Sequence, residues 1–178
     1  MDKNLADDTH GTNLGTAGTN VVATEYGDGR HHITKLVLSS IAYTIGDSAS
    51  LGIGAIIYTF PAGAYIVHGS SINVGLSLTT GTPTTDTPEI GLGSVIASGE
   101  VAVLGTPATF EDIMAGATTP VMANIAGTAE LFTHVPNLKI EADGSRVVNL
   151  NIADAWADVD NTAATASGTV WLEWTLFA

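Results

Sequence analysis

The strongest constraint on the fold is the alternation of side chains in residues 169–177, which read Thr-Val-Trp-Leu-Glu-Trp-Thr-Leu-Phe. Successive side chains of a β-strand point to opposite faces of a sheet. One face of this segment is uniformly apolar and consists of Val170, Leu172, Trp174 and Leu176. The other face carries Trp171 and Phe177, so we expect it either to meet another sheet or another chain, or to belong to a central strand of a single sandwich.

Composition indicates a surface with few charges. The chain has 178 residues, enough for one domain with a substantial core. Charged residues make up 13% of it and hydrophobic residues 45%, whereas typical globular domains carry about 25% charge. Small polar side chains or neighbouring subunits must therefore cover the remaining surface, which is typical of assembled β proteins.

The net charge and the missing cysteines exclude several classes of function. The formal net charge is −13, and the five Lys and Arg residues are scattered, so no basic stripe for nucleic acid is present. The chain has no Cys, which excludes disulfides, thiolate nucleophiles and Cys-ligated zinc. No run approaches 18 apolar residues, so no transmembrane helix and no membrane partner are predicted.

Short apolar or alternating segments separated by Gly, Thr and Pro predict an all-β fold, a single-domain sandwich or jelly roll. The predicted strands are residues 33–43, 53–60, 64–68, 71–78, 90–96, 101–104, 131–132, 138–141, 147–152 and 169–177. Turn residues at 61–63 and 143–144 predict two hairpins, and residues 161–168 are predicted to be a connection. The only helical turn is expected at residues 109–114 with Thr109 as its N-cap.

The N-terminal segment differs from the rest of the chain. Residues 7–20 repeat Gly and Thr without apolar periodicity, so by themselves they cannot bury enough surface to offset the entropy of ordering. We expect residues 1–24 to form a flexible arm and residues 25–178 to form the β-domain. A frayed terminus is the simpler alternative.

No set of residues predicts catalysis, a cofactor or a metal. His31 and His32 are adjacent in a strand and should point to opposite sides, which favours a surface pair over a metal site. Asp154, Asp158 and Asp160 are dense enough to suggest Ca²⁺, but they lack the Gly and Glu of an EF-hand loop, so a solvated turn is expected. The serines lack a Gly-x-Ser-x-Gly elbow. We therefore predict that the protein is not an enzyme.

Three blocks of sequence resemble small all-β structural proteins of tailed-phage virions. The blocks are residues 57–69, residues 87–99 with 109–113, and residues 148–156 with 167–174. The second block includes Thr-Pro-Glu-Ile-Gly-Leu-Gly, and the third ends in Thr-Val-Trp-Leu-Glu-Trp. Together the blocks extend over most of residues 30–177, and their motifs are structural in type.

The resemblance implies a capsid decoration or cement protein, or another head-associated protein, with the major capsid protein as partner. The acidic net charge fits a position on the outer capsid surface, away from packaged DNA. The apolar second face of the last strand and the charge-poor surface predict self-association, most plausibly as a homotrimer. The candidate interface residues are Trp171, Phe177, Tyr26 and His32.

The alternative function is a tail or head-fibre module that binds host glycan. In that function Trp156, Tyr43 and Tyr58 would stack on sugars, unless these three residues pack in the core.

Overall fold

A computed structural model describes residues 15–28, 30–45, 50–78, 86–118, 127–133, 138–140, 146–157 and 162–177. These residues form eleven β-strands and one short turn of 3₁₀-helix, at Ala108–Phe110. The strands are β1 (Thr16–Ala17), β2 (Val21–Asp28), β3 (His31–Ile45), β4 (Gly52–Thr59), β5 (Ala64–Leu78), β6 (Glu89–Gly93), β7 (Met114–Thr118), β8 (Gly127–Thr133), β9 (Leu138–Ile140), β10 (Val147–Ala153) and β11 (Thr162–Phe177).

Two antiparallel sheets pack face to face. Sheet A has the order β1-β4-β10-β6-β7, and sheet B has the order β2-β3-β11-β5-β8, with β9 also paired to β5. Without β1, β2 and β9, eight strands remain. When these eight strands are renumbered 1 to 8 in chain order, sheet A has the order 2-7-4-5 and sheet B has the order 1-8-3-6. This is the strand order of a jelly roll, and it confirms the predicted all-β sandwich.

The last strand occupies the centre of sheet B, between β3 and β5. Its predicted inward face is confirmed, because Val170, Leu172 and Trp174 are fully buried. The strand is longer than predicted. Residues 162–168 continue it, and Ala164 and Ala166 maintain the alternation with side chains too small to give a strong apolar signal. The predicted connection there is wrong.

Both predicted hairpins are wrong. The turn after β4 carries the chain across the sandwich, because β4 belongs to sheet A and β5 to sheet B. Likewise β9 pairs with β5 in sheet B, whereas β10 lies in the middle of sheet A. Turn residues specify a reversal of the chain but not the sheet that receives the next strand, and most connections of a jelly roll cross from one sheet to the other. Residues 143–144 themselves lie outside the described part of the chain.

The predicted helical turn is shortened to a single turn of 3₁₀-helix. Pro107 stands at its N-cap without a side-chain hydrogen bond, so the expected cap at Thr109 is wrong. Asp112, within the predicted helical turn, accepts hydrogen bonds from the Ser94 amide and hydroxyl at 2.7 and 2.6 Å. No helix in the described ranges is long and apolar enough to cross a membrane.

The predicted boundary of the N-terminal arm is also wrong. β1 pairs with the end of β4, and β2 pairs along β3 over its full length. Val21 and Ala23 pack against the main core, so residues 15–24 are part of the domain. The alternation of apolar and polar side chains in β2 is only a few residues long, and the Gly and Thr residues around it make it hard to recognise in the sequence. Residues 1–14 lie outside the described residues.

Candidate interaction surface

The middle of the outer face of sheet A is covered by the protein itself. Residues 94–113, which connect β6 to β7, lie across this face and form a second small core against β10. This core consists of Ala97, Leu104, Phe110 and Ala153, with Val101 packed against it. Residues 101–104 are therefore not the strand that their apolar sequence predicts. Their apolar side chains cover a sheet instead.

Asn151 fixes this covering segment to β10. Its Nδ2 donates hydrogen bonds to the carbonyl oxygens of Val95 and Phe110 at 2.9 and 2.7 Å, and its Oδ1 accepts one from the Ala97 amide at 2.9 Å. Asn149, two residues earlier on the same face, donates to the Gly93 carbonyl at 3.0 Å. Both asparagines are fully buried. Sheet A therefore has no open outer face along its central strand.

The outer face of sheet B, in contrast, is open to solvent and apolar in part. Val22 on β2, Val37 on β3 and Trp171 on β11 are 64%, 37% and 38% exposed. Phe177, at the end of β11, is 43% exposed. Strand pairing places Val22 opposite Val37, and Trp171 opposite Lys35, so these side chains belong to adjacent rows of one face.

Trp171 is the centre of an aromatic cluster on this face. Its ring lies 6.1 Å from that of Tyr26, with 27° between the planes, so the two rings are close to parallel. The Lys35 ammonium lies 5.3 Å from the centroid of the Trp171 ring, within the range of a cation–π interaction. The cluster joins β2, β3 and β11, and it presents an aromatic surface with one positive charge.

A polar row lies beside the aromatic cluster on the same face. His31 Nε2 is 2.9 Å from Glu173 Oε1, and His68 Nε2 is 2.7 Å from Thr175 Oγ1. The two imidazole rings are 6.2 Å apart. His31 and Glu173 are about half exposed. Donors and acceptors are thus available next to the apolar residues, as in a protein–protein interface with a polar rim.

The structure brings three of the four candidate interface residues to this face. Trp171 and Phe177 are exposed there, and Tyr26 is partly buried against Trp171. His32 points to the opposite side of β3 and is only 2% exposed, so both its place in the interface and the expected His31–His32 surface pair are wrong. Sequence reasoning missed Lys35 and Val22, because their position depends on the register between β2, β3 and β11.

The remaining candidates for a site do not form one. Tyr43, Tyr58 and Trp156 are all core residues, so none can stack on a sugar. Burial raises the pKa of Asp154, whose carboxylate accepts a hydrogen bond from the Ala155 amide; Asp158 and Asp160 lie outside the described residues. Within the described ranges, no three His, Asp or Glu side chains are close enough to share a metal ion.

Comparison with known proteins gives little information about identity. No family model matches the chain, and no curated protein matches it. One similar solved structure is a chain of the cyanophage Pam1 capsid asymmetric unit, which is 17% identical at a TM-score of 0.46. The match covers 88% of this chain and 92% of that one. A TM-score below 0.5 does not by itself establish a common fold.

Proposed function

We propose that this protein is a bacteriophage virion component that binds the outer surface of the capsid and stabilises the shell by non-covalent contacts. The observation that carries the proposal is the aromatic surface on the outer face of sheet B. Large hydrophobic side chains are exposed on both sides of the sandwich, but those on the sheet A side are aliphatic, whereas sheet B exposes Trp171 and Phe177 beside Val22. An exposed apolar patch of this kind marks an interaction site.

The sequence resemblance to tailed-phage structural proteins supplies the partner, the major capsid protein. The polar and apolar groups of sheet B suit a contact made by packing and hydrogen bonds, since Lys35 is the only basic side chain of the aromatic cluster. In this proposal the protein has no catalytic residue and no cofactor, and it acts only by adding buried area between capsid subunits.

Self-association as a homotrimer belongs to the same proposal. Exposed apolar side chains also occur on the sheet A side, at Ile56, Val95, Ile96 and Val103. A contact between opposite sides of a sandwich would build an open stack, whereas a closed ring needs two surfaces at an angle to each other. We therefore propose that sheet B faces the capsid and that, within the trimer, the exposed apolar residues of the sheet A side contact an edge of the neighbouring subunit.

The test uses capsids that lack the protein and adds it back in variant forms. Trp171→Ala should reduce occupancy on the particle, because truncation of an aromatic anchor at an interface centre costs ~2 kcal/mol or more. Ser98→Ala is the control, since Ser98 is an exposed polar residue that belongs to neither set of exposed apolar side chains. Circular dichroism of the free variants separates lost binding from misfolding, and light scattering shows whether Trp171 supports the oligomer instead.

Capsids that lack the protein should also release their DNA at a lower temperature than complete capsids. If Trp171→Ala binds as well as the wild type and both kinds of capsid release DNA at the same temperature, the capsid-stabilising role is wrong. The glycan-binding alternative would then be tested next. Any sugar would have to stack on aromatic residues other than Tyr43, Tyr58 and Trp156, because these three are buried.

A further inference from the structure

A chain of buried polar groups runs from the N-terminal strands into the core. His32 Nδ1 lies 2.6 Å from Glu25 Oε1, and these side chains are only 2% and 7% exposed. The Tyr58 hydroxyl donates to Glu25 Oε2 at 3.4 Å and accepts a hydrogen bond from the Gly15 amide at 3.0 Å. The pair therefore connects β2 to β3, and through Tyr58 it reaches β4 and the start of β1.

The aromatic core holds this pair in place. The His32 ring stacks on Trp174 with centroids 4.2 Å apart, and Trp174 Nε1 donates to the Thr34 hydroxyl at 2.8 Å. Tyr58 also shares a hydrogen bond with Thr34. The groups that act electrostatically on Glu25 are His32 and Tyr58. No hydrogen-bond partner of His32 Nε2 is found among the described residues.

We propose that the Glu25–His32 pair is a pH-sensitive latch that holds β1 and β2 onto the jelly roll. While the Glu25 carboxyl keeps its proton and donates it to the His32 imidazole in a hydrogen bond, the site carries no unpaired charge. When this proton leaves for solvent, a carboxylate remains in an apolar site with hydrogen bonds but without a counter-charge. An unpaired buried charge is costly, and opening of the N-terminal strands lets water reach it.

The direction of the effect follows from burial. Desolvation raises the pKa of Glu25, although His32 acts against this shift. A carboxyl group with a raised pKa in the folded state contributes stability that is fully present below its unfolded pKa and is lost as pH rises through the folded value. The latch should therefore hold at mildly acidic pH and loosen as pH rises.

Hydrogen exchange read by mass spectrometry tests this proposal on the intact protein. From pH 4 to 8.5, after correction for intrinsic exchange rates, protection of residues 15–28 should fall at least tenfold, while protection of β10 stays constant. The Glu25→Gln, His32→Gln double variant has no carboxyl group to lose a proton at this site and should show a flat profile. The matched control is His31→Gln, Glu173→Gln, which removes an exposed pair of the same chemistry and should retain the wild-type profile.

A flat wild-type profile would overturn the proposal, as would a profile in which residues 15–28 and β10 lose protection together. The wild-type measurement therefore decides the question even if the Glu25, His32 double variant does not fold. Loss of the pH response in the His31, Glu173 control would assign the response to the exposed pair and would also overturn the proposal.

Discussion

The Asn151 side chain donates a 2.7 Å hydrogen bond to the Phe110 carbonyl oxygen, across the junction between β10 and the segment that covers sheet A. The same amide group also contacts Val95 and Ala97, so one side chain satisfies three backbone groups of residues 94–113. Because the hydrogen bonds to Phe110 and Ala97 are buried, the covering segment depends on a residue of the sheet that it covers.

Asn151→Asp should destabilise the protein more than Asn151→Ala. The aspartate would place acceptor oxygens against the carbonyls of Val95 and Phe110, whereas alanine only leaves them without a donor. An unsatisfied buried polar group costs about 1–3 kcal/mol, and a buried charge costs more. Urea unfolding measures both free energies. Equal stability of the two variants would show that the amide donors of Asn151 do not hold the segment.

The sequence predicted strands well and the pairing between them poorly. The alternation in β11 identified Val170, Leu172 and Trp174 as core residues because period-2 burial is local information. Neither the crossing from β4 to β5 nor the role of Asn151 can be read from the chain. Both depend on contacts between distant segments, since Asn151 contacts residues 41–56 positions away.

The same limit explains what was missed at the candidate site. Trp171 was found from its own strand, but its neighbours Tyr26 and Lys35 come from β2 and β3. His32 was assigned to the surface because adjacent histidines in a strand cannot easily share a metal and because it lies next to the predicted N-terminal arm. Only the register of β2 against β3 shows that Glu25 and His32 share the inner face.

Truncation of the two tryptophans of β11 should destabilise the protein to very different extents. Trp174→Ala should lower the free energy of unfolding by about 3–5 kcal/mol, because Trp174 is fully buried against Phe60 and His32. Trp171→Ala should cost about 1 kcal/mol or less, since its ring is 38% exposed and its aromatic partner, Tyr26, lies on the same outer face of the sheet. Thermal unfolding of the two variants under identical conditions gives the comparison. A large loss for Trp171→Ala would place it in the structural core and weaken its assignment to an interface.

The protein should become less stable above pH 10. Burial raises the pKa of Tyr43, Tyr58 and Tyr65 above the ordinary value of 10, so each phenol keeps its proton in the folded state at a pH where the unfolded chain loses it. The stability from these groups is fully present below pH 10 and is lost as pH rises further. Phenolate absorbance of these three residues should therefore appear together with the loss of folded circular dichroism. Their titration in a fully folded protein just above pH 10 would contradict this.

Gly168→Ala should be among the most destabilising single-methyl additions in the chain. Gly168 has φ +148° at the point where the register of β11 shifts, and an added Cβ would lie within 2.1 Å of the Asn73 carbonyl oxygen. Both the backbone conformation and the contact with β5 are unfavourable for alanine, so a loss above ~2 kcal/mol is expected. Gly99→Ala is a suitable control. Gly99 also has positive φ, at +78°, but a Cβ there would meet no atom within 4 Å. A similar loss in both variants would assign the effect to backbone conformation alone.

Deletion of residues 1–24 should destabilise the domain as well as affect binding. The deletion removes β1, the Gly15 amide that binds Tyr58, and the Val21 and Ala23 side chains that pack on the core. It also leaves Glu25 at a new chain end, next to the buried His32. We expect a loss of more than ~2 kcal/mol, or about 4–8 °C in Tm for a chain of this size. Deletion of residues 1–14 keeps all of these contacts and is the matched control. Calorimetry of both truncated proteins measures the difference, and equal Tm values would show that β1 and the first half of β2 contribute nothing to the fold.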